Sequence, residues 1–597
     1  MKNQSLHTFH IPVMGIAYTI DTPIKVASFG ITSALSIVED NLIEVMRKVY
    51  YKKNNETYTP ITTREKDYRA RRITDYLNLV NRNVKKRLEE LRNSSFEAGS
   101  DLVKYFEMLP NENDLKKKYL EFMNAEEPEK KRSIEGELRK EVKAGAIEVN
   151  IMTKVDREIQ DKSGNPIPNH SDALTALKGY AQSDLEDSAV IFSAGMNPRL
   201  FNYLESFREF DAQAWGKFKK RIALKVSDFR SALIQGKYLA KKGIWVSEFR
   251  IESGLNCGGH AFATQGVLMG PILEEFKARK KELQESLFEI YNKSVAALGL
   301  KSFDKPHPIK ITAQGGIGTY EEDQFLHNYY QVDSTGWGTP FLLCPEATTV
   351  EDDTFKVLQN STDEDVVLSE SSPLGVSFNY LKGTSSEKER LKRIAENKPG
   401  SSCPEKYLVS NTEFTKKPIC TASTKYQELK LAQLESAELT TARREKLKKE
   451  VLEKECLCIG LSNAAPLQYN EKFVKNQKAV TICPGPNIAN FTKKVSLQEM
   501  AGHIYGWGNI INRKDRPNMF AKELELYVDY IKKQVTDMVT PDPKTVKGYH
   551  RFCDNLLEGI KYYRELLTEH YFSNAEQFRR ILLNSEGEIS QLKEQLV

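Results

Sequence analysis

Along the 597-residue chain, short apolar runs alternate with longer stretches whose apolar positions recur at helical spacing. His10-Ile11-Pro12-Val13-Met14-Gly15-Ile16-Ala17 reads as a strand ending in a glycine turn. Helix is predicted over 24–30 and 33–50, where Ile37, Leu42, Ile43, Met46 and Val49 share one face. From 51 to 140 charged residues crowd in around a stripe formed by Ile73, Tyr76, Leu77, Val80, Val84, Leu88 and Leu91. A second helical piece surrounds Leu115, Tyr119, Leu120 and Met123.

Strand-like runs then return at 146–151, 189–195, 221–226, 243–249, 308–313 and 330–333, with helical segments such as 228–241 and 271–298 between them. Such alternation of strand and helix builds a parallel sheet. The strands end repeatedly in Gly, Asn, Ser or His, which suits an α/β (β/α)8 TIM barrel with its site on the C-terminal rim. A doubly wound open sheet requires a glycine-rich fingerprint after the first strand, and Met14-Gly15-Ile16-Ala17 is not one.

The expected organisation is a barrel from 1–50 and 141–382, with a helical insertion over 51–140. A cysteine-containing segment over 383–490 and a helical region over 491–597 complete it. Composition changes this picture little. No run reaches the roughly 18 apolar residues of a membrane span, and the N-terminus lacks a secretory apolar core. Eight cysteines in so long a chain fit a reducing cytoplasm rather than a disulfide framework. A net charge of +5 from 87 basic and 82 acidic residues argues against an obligate nucleic-acid binder. The 51–140 stretch holds most of that excess and leaves a docking arm open; its blander reading is a solvated helical hairpin.

Candidate chemistry gathers at three glycine turns. Asn256-Cys257-Gly258-Gly259-His260 follows one strand and places a group that titrates near neutral pH beside a turn with no side chain. Gln314-Gly315-Gly316-Ile317 and Gly336-Trp337-Gly338-Thr339 follow two successive strands. Paired turns of this kind offer backbone N–H groups to a phosphate, and barrels place their phosphate site after strands seven and eight.

These stretches together resemble the nitronate monooxygenase (2-nitropropane dioxygenase-like) family, which includes FMN-dependent enoyl-acyl-carrier-protein reductases. The resemblance rests on Pro12-Val13-Met14-Gly15, Ala146-Ile147-Glu148-Val149-Asn150, Asn256-Cys257-Gly258-Gly259-His260, Gln314-Gly315-Gly316-Ile317 and Gly338-Thr339-Pro340-Phe341. It implies an FMN barrel whose phosphate rests on Gly315, Gly316, Gly338 and Thr339. Gly15, Gly258, Gly259, Gln314, Ile317, Gly336 and Trp337 would complete the cofactor site. The flavin ring would lie near Met14, Asn150 and Lys225, and His260 would act as a base or orient an anionic, nitronate-like substrate. Two departures stand out: Asn256-Cys257 replaces a Glu-Ala pair, removing a carboxylate, and Pro340 replaces an arginine.

Beyond 382 the chain reads as a linker to 402, and Cys403, Cys420, Cys456 and Cys458 then fall within 56 residues. Zinc or an iron–sulfur cluster is one reading of these thiols, and scattered buried cysteines the other. Stripes at Leu524, Val528, Ile531, Val535 and at Leu556, Ile560, Tyr563, Leu567 predict a helical layer packed on the barrel or on a second subunit, a homo-oligomer. The expected activity is an FMN-dependent oxidoreductase acting on a small carbon-acid or nitronate-like molecule. Two alternatives remain: a flavoenzyme on a carrier-bound acyl chain or RNA base, and a non-catalytic barrel for partner binding.

Overall fold

The computed structural model describes residues 6–153, 156–161, 163–258, 265–402, 404–474, 477–538, 542–570 and 572–596. Eight parallel strands close into a barrel: β1 Phe9–Ile11, β2 Thr32–Ser36, β3 Ile147–Ile151, β4 Ser188–Phe192, β5 Lys220–Val226, β6 Val246–Glu252, β7 Lys310–Gln314 and β8 Ser334–Gly336. The chain is thus a (β/α)8 barrel with added helical segments. Each strand pairs with its sequence neighbour in the series, and β8 closes on β1 through Phe9–Thr335 and His10–Gly336.

The boundaries differ from expectation where local chemistry intervenes. The first strand is short because Pro12 has no N–H to donate and Gly15 turns the chain at φ +119°. Residues 33–36 are strand rather than helix. A barrel strand buried on both faces shows no alternation, so Ala34-Leu35-Ser36-Ile37 satisfies helical spacing equally well. The helix begins only at Asp40 and runs to Lys53, with the Glu39 side chain accepting from Asn41 N. The run expected at 330–333 is displaced to β8, since Gln331 adopts φ +56°. The linker read at 382–402 contains a helix, Ser385–Ala395, capped by Thr384, whose side chain accepts from Glu387 N; it buries only Ser386 and so shows no apolar stripe.

Added helices cover the barrel. In Tyr68–Asn93, the residues Ile73, Tyr76, Leu77, Val80 and Val84 are buried in the main core, so this stripe faces the barrel rather than solvent. Arg69 and Arg72 of that helix both donate to Asp40, and Arg72 Nη1 lies 2.8 Å from Asp40 Oδ2. Part of the basic excess is therefore spent on internal ion pairs. A second small core gathers Leu102, Phe106, Tyr119, Phe122 and Leu138, while Leu120 and Met123 stay exposed. At the other end, Met519–Thr536 and Pro543–Glu569 bury both expected stripes in the main core. Among the described residues, no helix is long and apolar enough to cross a membrane.

In the barrel interior Val13, Ala34, Ile191 and Ala223 form an apolar cluster. On adjoining strands, where Ala34 pairs with Glu148 and Ala223 with Glu248, Arg250, 1% exposed, donates through Nε and Nη2 to Glu248 Oε1 at 2.8 and 2.6 Å, and through Nη2 to Glu148 at 3.1 and 3.2 Å. Thr312 Oγ1 adds a hydrogen bond to Glu248 at 2.7 Å. Burial alone would raise both carboxyls; the pull of Arg250 holds Glu248 below the usual range, while Glu148, with longer contacts, stays above it. Replacing Arg250 with Met strands two buried carboxylates, and the expected cost is about 3–5 kcal/mol. Chemical denaturation followed by tryptophan fluorescence measures it; an unchanged midpoint contradicts this role.

Candidate active site

Alternation along the strands carries the interior polarity up to the C-terminal rim. Glu148 and Arg250 face inward, so Asn150 and Glu252, two residues further on, face inward one layer higher. Lys225 is in register with Arg250, and Gln314 with Glu252. At this layer Glu252 Oε1 receives three groups: Lys225 Nζ at 2.9 Å, Asn256 Nδ2 at 2.7 Å and Gln314 Nε2 at 2.5 Å. Asn150 Oδ1 is buried and, among the described residues, has no hydrogen-bond partner. His10 occupies the next position on β1, with Nδ1 3.0 Å from Ser334 Oγ. Burial, helped by Arg250, lowers its pKa to about 3, so it is a neutral imidazole.

The loops above these strands converge as the sequence suggested. A Cβ on Gly258 would stand 2.4 Å from Met14 Cα, and one on Gly338 would stand 3.3 Å from Cys257 Cβ and 3.4 Å from Met14 Cγ. Met14, Gly15, Cys257, Gly258, Gly338 and Thr339 therefore form one packed rim. Gly315 and Gly316 take φ +107° and +81°, and a Cβ on Gly316 would meet Leu255 at 2.5 Å. Glycine is required at these turns. Gly336 is held equally close, with His10 Nε2 and Gln314 Oε1 each 3.0 Å from where its Cβ would be.

Other candidates are committed elsewhere. Trp337 is fully buried, and its indole N–H donates to Asp323 at 3.1 Å. Ile317 is buried in the core. Gly259 and His260 lie outside the described residues, as does Cys403. Cys420 and Cys458 are buried and Cys456 partly exposed. Among the described residues no group of three potential metal ligands stands together, so the zinc or iron–sulfur reading finds no support there. Cys456 borders a groove shared with Arg390, Arg393, Lys454 and Glu455.

Sequence reasoning missed the partners that the C-terminal half sends to this rim. Cys483 O accepts from Gly258 N at 2.9 Å, and Pro484 O from Thr339 Oγ1 at 2.6 Å. Arg516 donates to Gly316 O at 2.8 Å, Asn487 Oδ1 at 3.0 Å and Glu322 Oε1 at 2.7 Å. Glu322 Oε2 in turn accepts from Gly318 N at 2.8 Å. His503 reaches Gly318 O at 2.8 Å. Beside Gly316, a small recess is lined by Asn487, Asn490, Arg516, Lys522 and Asp363. Arg516 thus brings a guanidinium to the glycine turn after β7. Residues 200 apart carry no local signal of this contact; Glu252 had one, since it is the carboxylate that ends its strand just before the glycine turn.

Tested against FMN, the ring end fits. It offers a cation at Lys225 and an unpartnered buried acceptor at Asn150, beneath glycine turns that tolerate close approach. At the phosphate end Gly316 and Arg516 line the recess, with Arg516 already bonded to Glu322, Asn487 and Gly316 O and the Thr339 hydroxyl to Pro484.

No protein-family model matches the sequence, and the search of curated proteins gave no match. Among solved structures, similarity is found to FabK from Thermotoga maritima, at 14% identity over 69% of this chain and 86% of that one, with TM-score 0.29. It is also found to the enoyl reductase domain of MlnA from the macrolactin biosynthesis cluster of Bacillus amyloliquefaciens, at 15% identity over 69% and 89%, with TM-score 0.32. Likeness this distant leaves function to be read from the chemistry of the site.

Two outcomes follow for the rim. Arg516→Met should speed amide exchange at 315–319 about tenfold, equivalent to roughly 1.4 kcal/mol of local stability; unchanged exchange contradicts the staple. Glu523, buried in the C-terminal layer, accepts from Met269 N at 2.8 Å and from Gly254 N, and burial raises its pKa from 4.5 to about 8. Folded protein holds this proton where the unfolded chain has lost it. The stability tied to Glu523 is complete below pH 4.5 and declines as pH rises to about 8. Glu523→Gln should flatten the melting temperature across that window, and an undiminished slope argues against it.

Proposed function

We propose that the chain is an FMN-dependent oxidoreductase that converts a small molecule at the C-terminal mouth of its barrel. The observation that carries this reading is the polar layer of Lys225, Glu252, Asn256 and Gln314, with Asn150 Oδ1 buried on β3 and, among the described residues, without a hydrogen-bond partner. Barrel enzymes place their chemistry at this end of the strands. Burying Asn150 Oδ1 without a partner costs about 1–3 kcal/mol, which a hydrogen bond from a ligand would recover.

The residues divide the work by position. Lys225 supplies positive charge where an electron-rich ring or an anionic substrate would lie. Asn150 supplies an acceptor. Gly315, Gly316 and Arg516 mark the phosphate end. Bound flavin supplies the electron transfer, and the protein supplies orientation, polarity and exclusion of water. A carbon acid of the nitronate type suits a mouth with one cation and a neutral His10, and His260 is proposed as the group that takes or orients the proton.

The test is reconstitution of the purified full chain with FMN. Binding should shift the flavin absorption spectrum and quench its fluorescence, and Lys225→Met should weaken binding about tenfold, or roughly 1.4 kcal/mol. A spectrum identical to that of free FMN overturns the reading.

A further inference from the structure

We infer that Glu252 is the positioning residue of the barrel mouth, setting the orientation of the Asn256 and Gln314 amides and the charge balance of Lys225. This inference rests on the flavin reading above. It starts from an asymmetry: Lys225 Nζ, Asn256 Nδ2 and Gln314 Nε2 all converge on one oxygen, Oε1, at 2.9, 2.7 and 2.5 Å. They arrive from β5, from the loop after β6 and from β7, three separate elements.

An ionised carboxylate only accepts hydrogen bonds. Both amides must therefore present their NH2 groups to Glu252, and their orientation follows from chemistry rather than from packing. Gln314 Oε1 is consequently turned away from Glu252, as an acceptor. That oxygen lies with His10 Nε2 beside Gly336, and Gln314 Nε2 is also 3.4 Å from Asn256 Oδ1, so the two amides are linked to each other as well as to Glu252.

Charge gives the second reason. Lys225 is in register with Arg250, whose guanidinium is already shared between Glu148 and Glu248. Glu252 is the carboxylate that balances Lys225. It also restores negative charge beside Asn256, where the resemblance led one to expect a glutamate and found an amide. The side chain keeps 18% of its surface exposed, so it stands at the opening rather than in the core.

The experiment compares the full-length wild type, Glu252→Gln and Glu252→Asp, using FMN as the probe. It reads dissociation constant, midpoint potential of the bound flavin and melting temperature. A glutamine at 252 can donate as well as accept, so the two amides lose their fixed orientation and Lys225 its counter-charge. Glu252→Gln should melt as the wild type does yet bind oxidised FMN at least tenfold more weakly. Its reduced-to-oxidised affinity ratio should rise at least tenfold, because the unbalanced ammonium favours the more negative reduced flavin. Glu252→Asp should recover part of both. Should the glutamine variant misfold, Gln314→Met removes one oriented amide while leaving the ion pair, and it should weaken FMN about tenfold. Wild-type binding with unchanged affinity and potential in the variants overturns the role of Glu252 and leaves the flavin reading standing. A wild type that binds no FMN overturns both.

Discussion

Arg250 lies at the centre of the barrel with a carboxylate on either side, and the polarity of the whole interior depends on how it is held. Glu248 accepts both of its nearer contacts, Glu148 takes the remainder, and Thr312 closes the group. A buried guanidinium of this kind is expensive unless it is paired and hydrogen-bonded. Once paired, it fixes which side of β6 faces inward, because a slip of one residue would exchange Glu248, Arg250 and Glu252 for Phe249 and Ile251. The rim chemistry follows from that register: Glu252 and Asn150 reach the mouth because Arg250 and Glu148 occupy the layer beneath.

The rim is assembled from parts far apart in the chain. Loops after β1, β6 and β8 pack at van der Waals contact around Met14, Gly258 and Gly338. The segment from Cys483 to Asn487 and the side chain of Arg516 then bond to the same loops, so the C-terminal half belongs to the barrel mouth. Glu523 extends this coupling by tying the helix Met519–Thr536 to Gly254 and Met269. An account of the site confined to the eight strands would leave out the groups that hold its loops.

Much of the fold was legible in the sequence because buried parallel strands leave apolar runs and amphipathic helices leave stripes. The barrel, the helices 228–241 and 271–298 and both C-terminal stripes were read from that periodicity. Thr32–Ser36 was not, since two-sided burial erases alternation, and Ser385–Ala395 was not, since a helix that buries one residue shows no stripe. At the site, glycine turns announced themselves by composition, and the structure brings Met14, Gly258 and Gly338 together. Trp337, in the turn after β8, is fully buried with its N–H donated to Asp323. Arg516 and Asn487 were invisible because only the folded chain brings them to Gly316.

The central claim is that the polar layer above Arg250 is a ligand-binding mouth. A crystal structure of the full chain with FMN tests it most directly. The expected result is ring density over the C-terminal ends of β3, β5 and β7, within hydrogen-bond distance of Asn150 and Lys225, with the phosphate beside Gly316 and Arg516. Flavin density located away from this rim, or a mouth that stays closed by the chain's own side chains at saturating FMN, would contradict it.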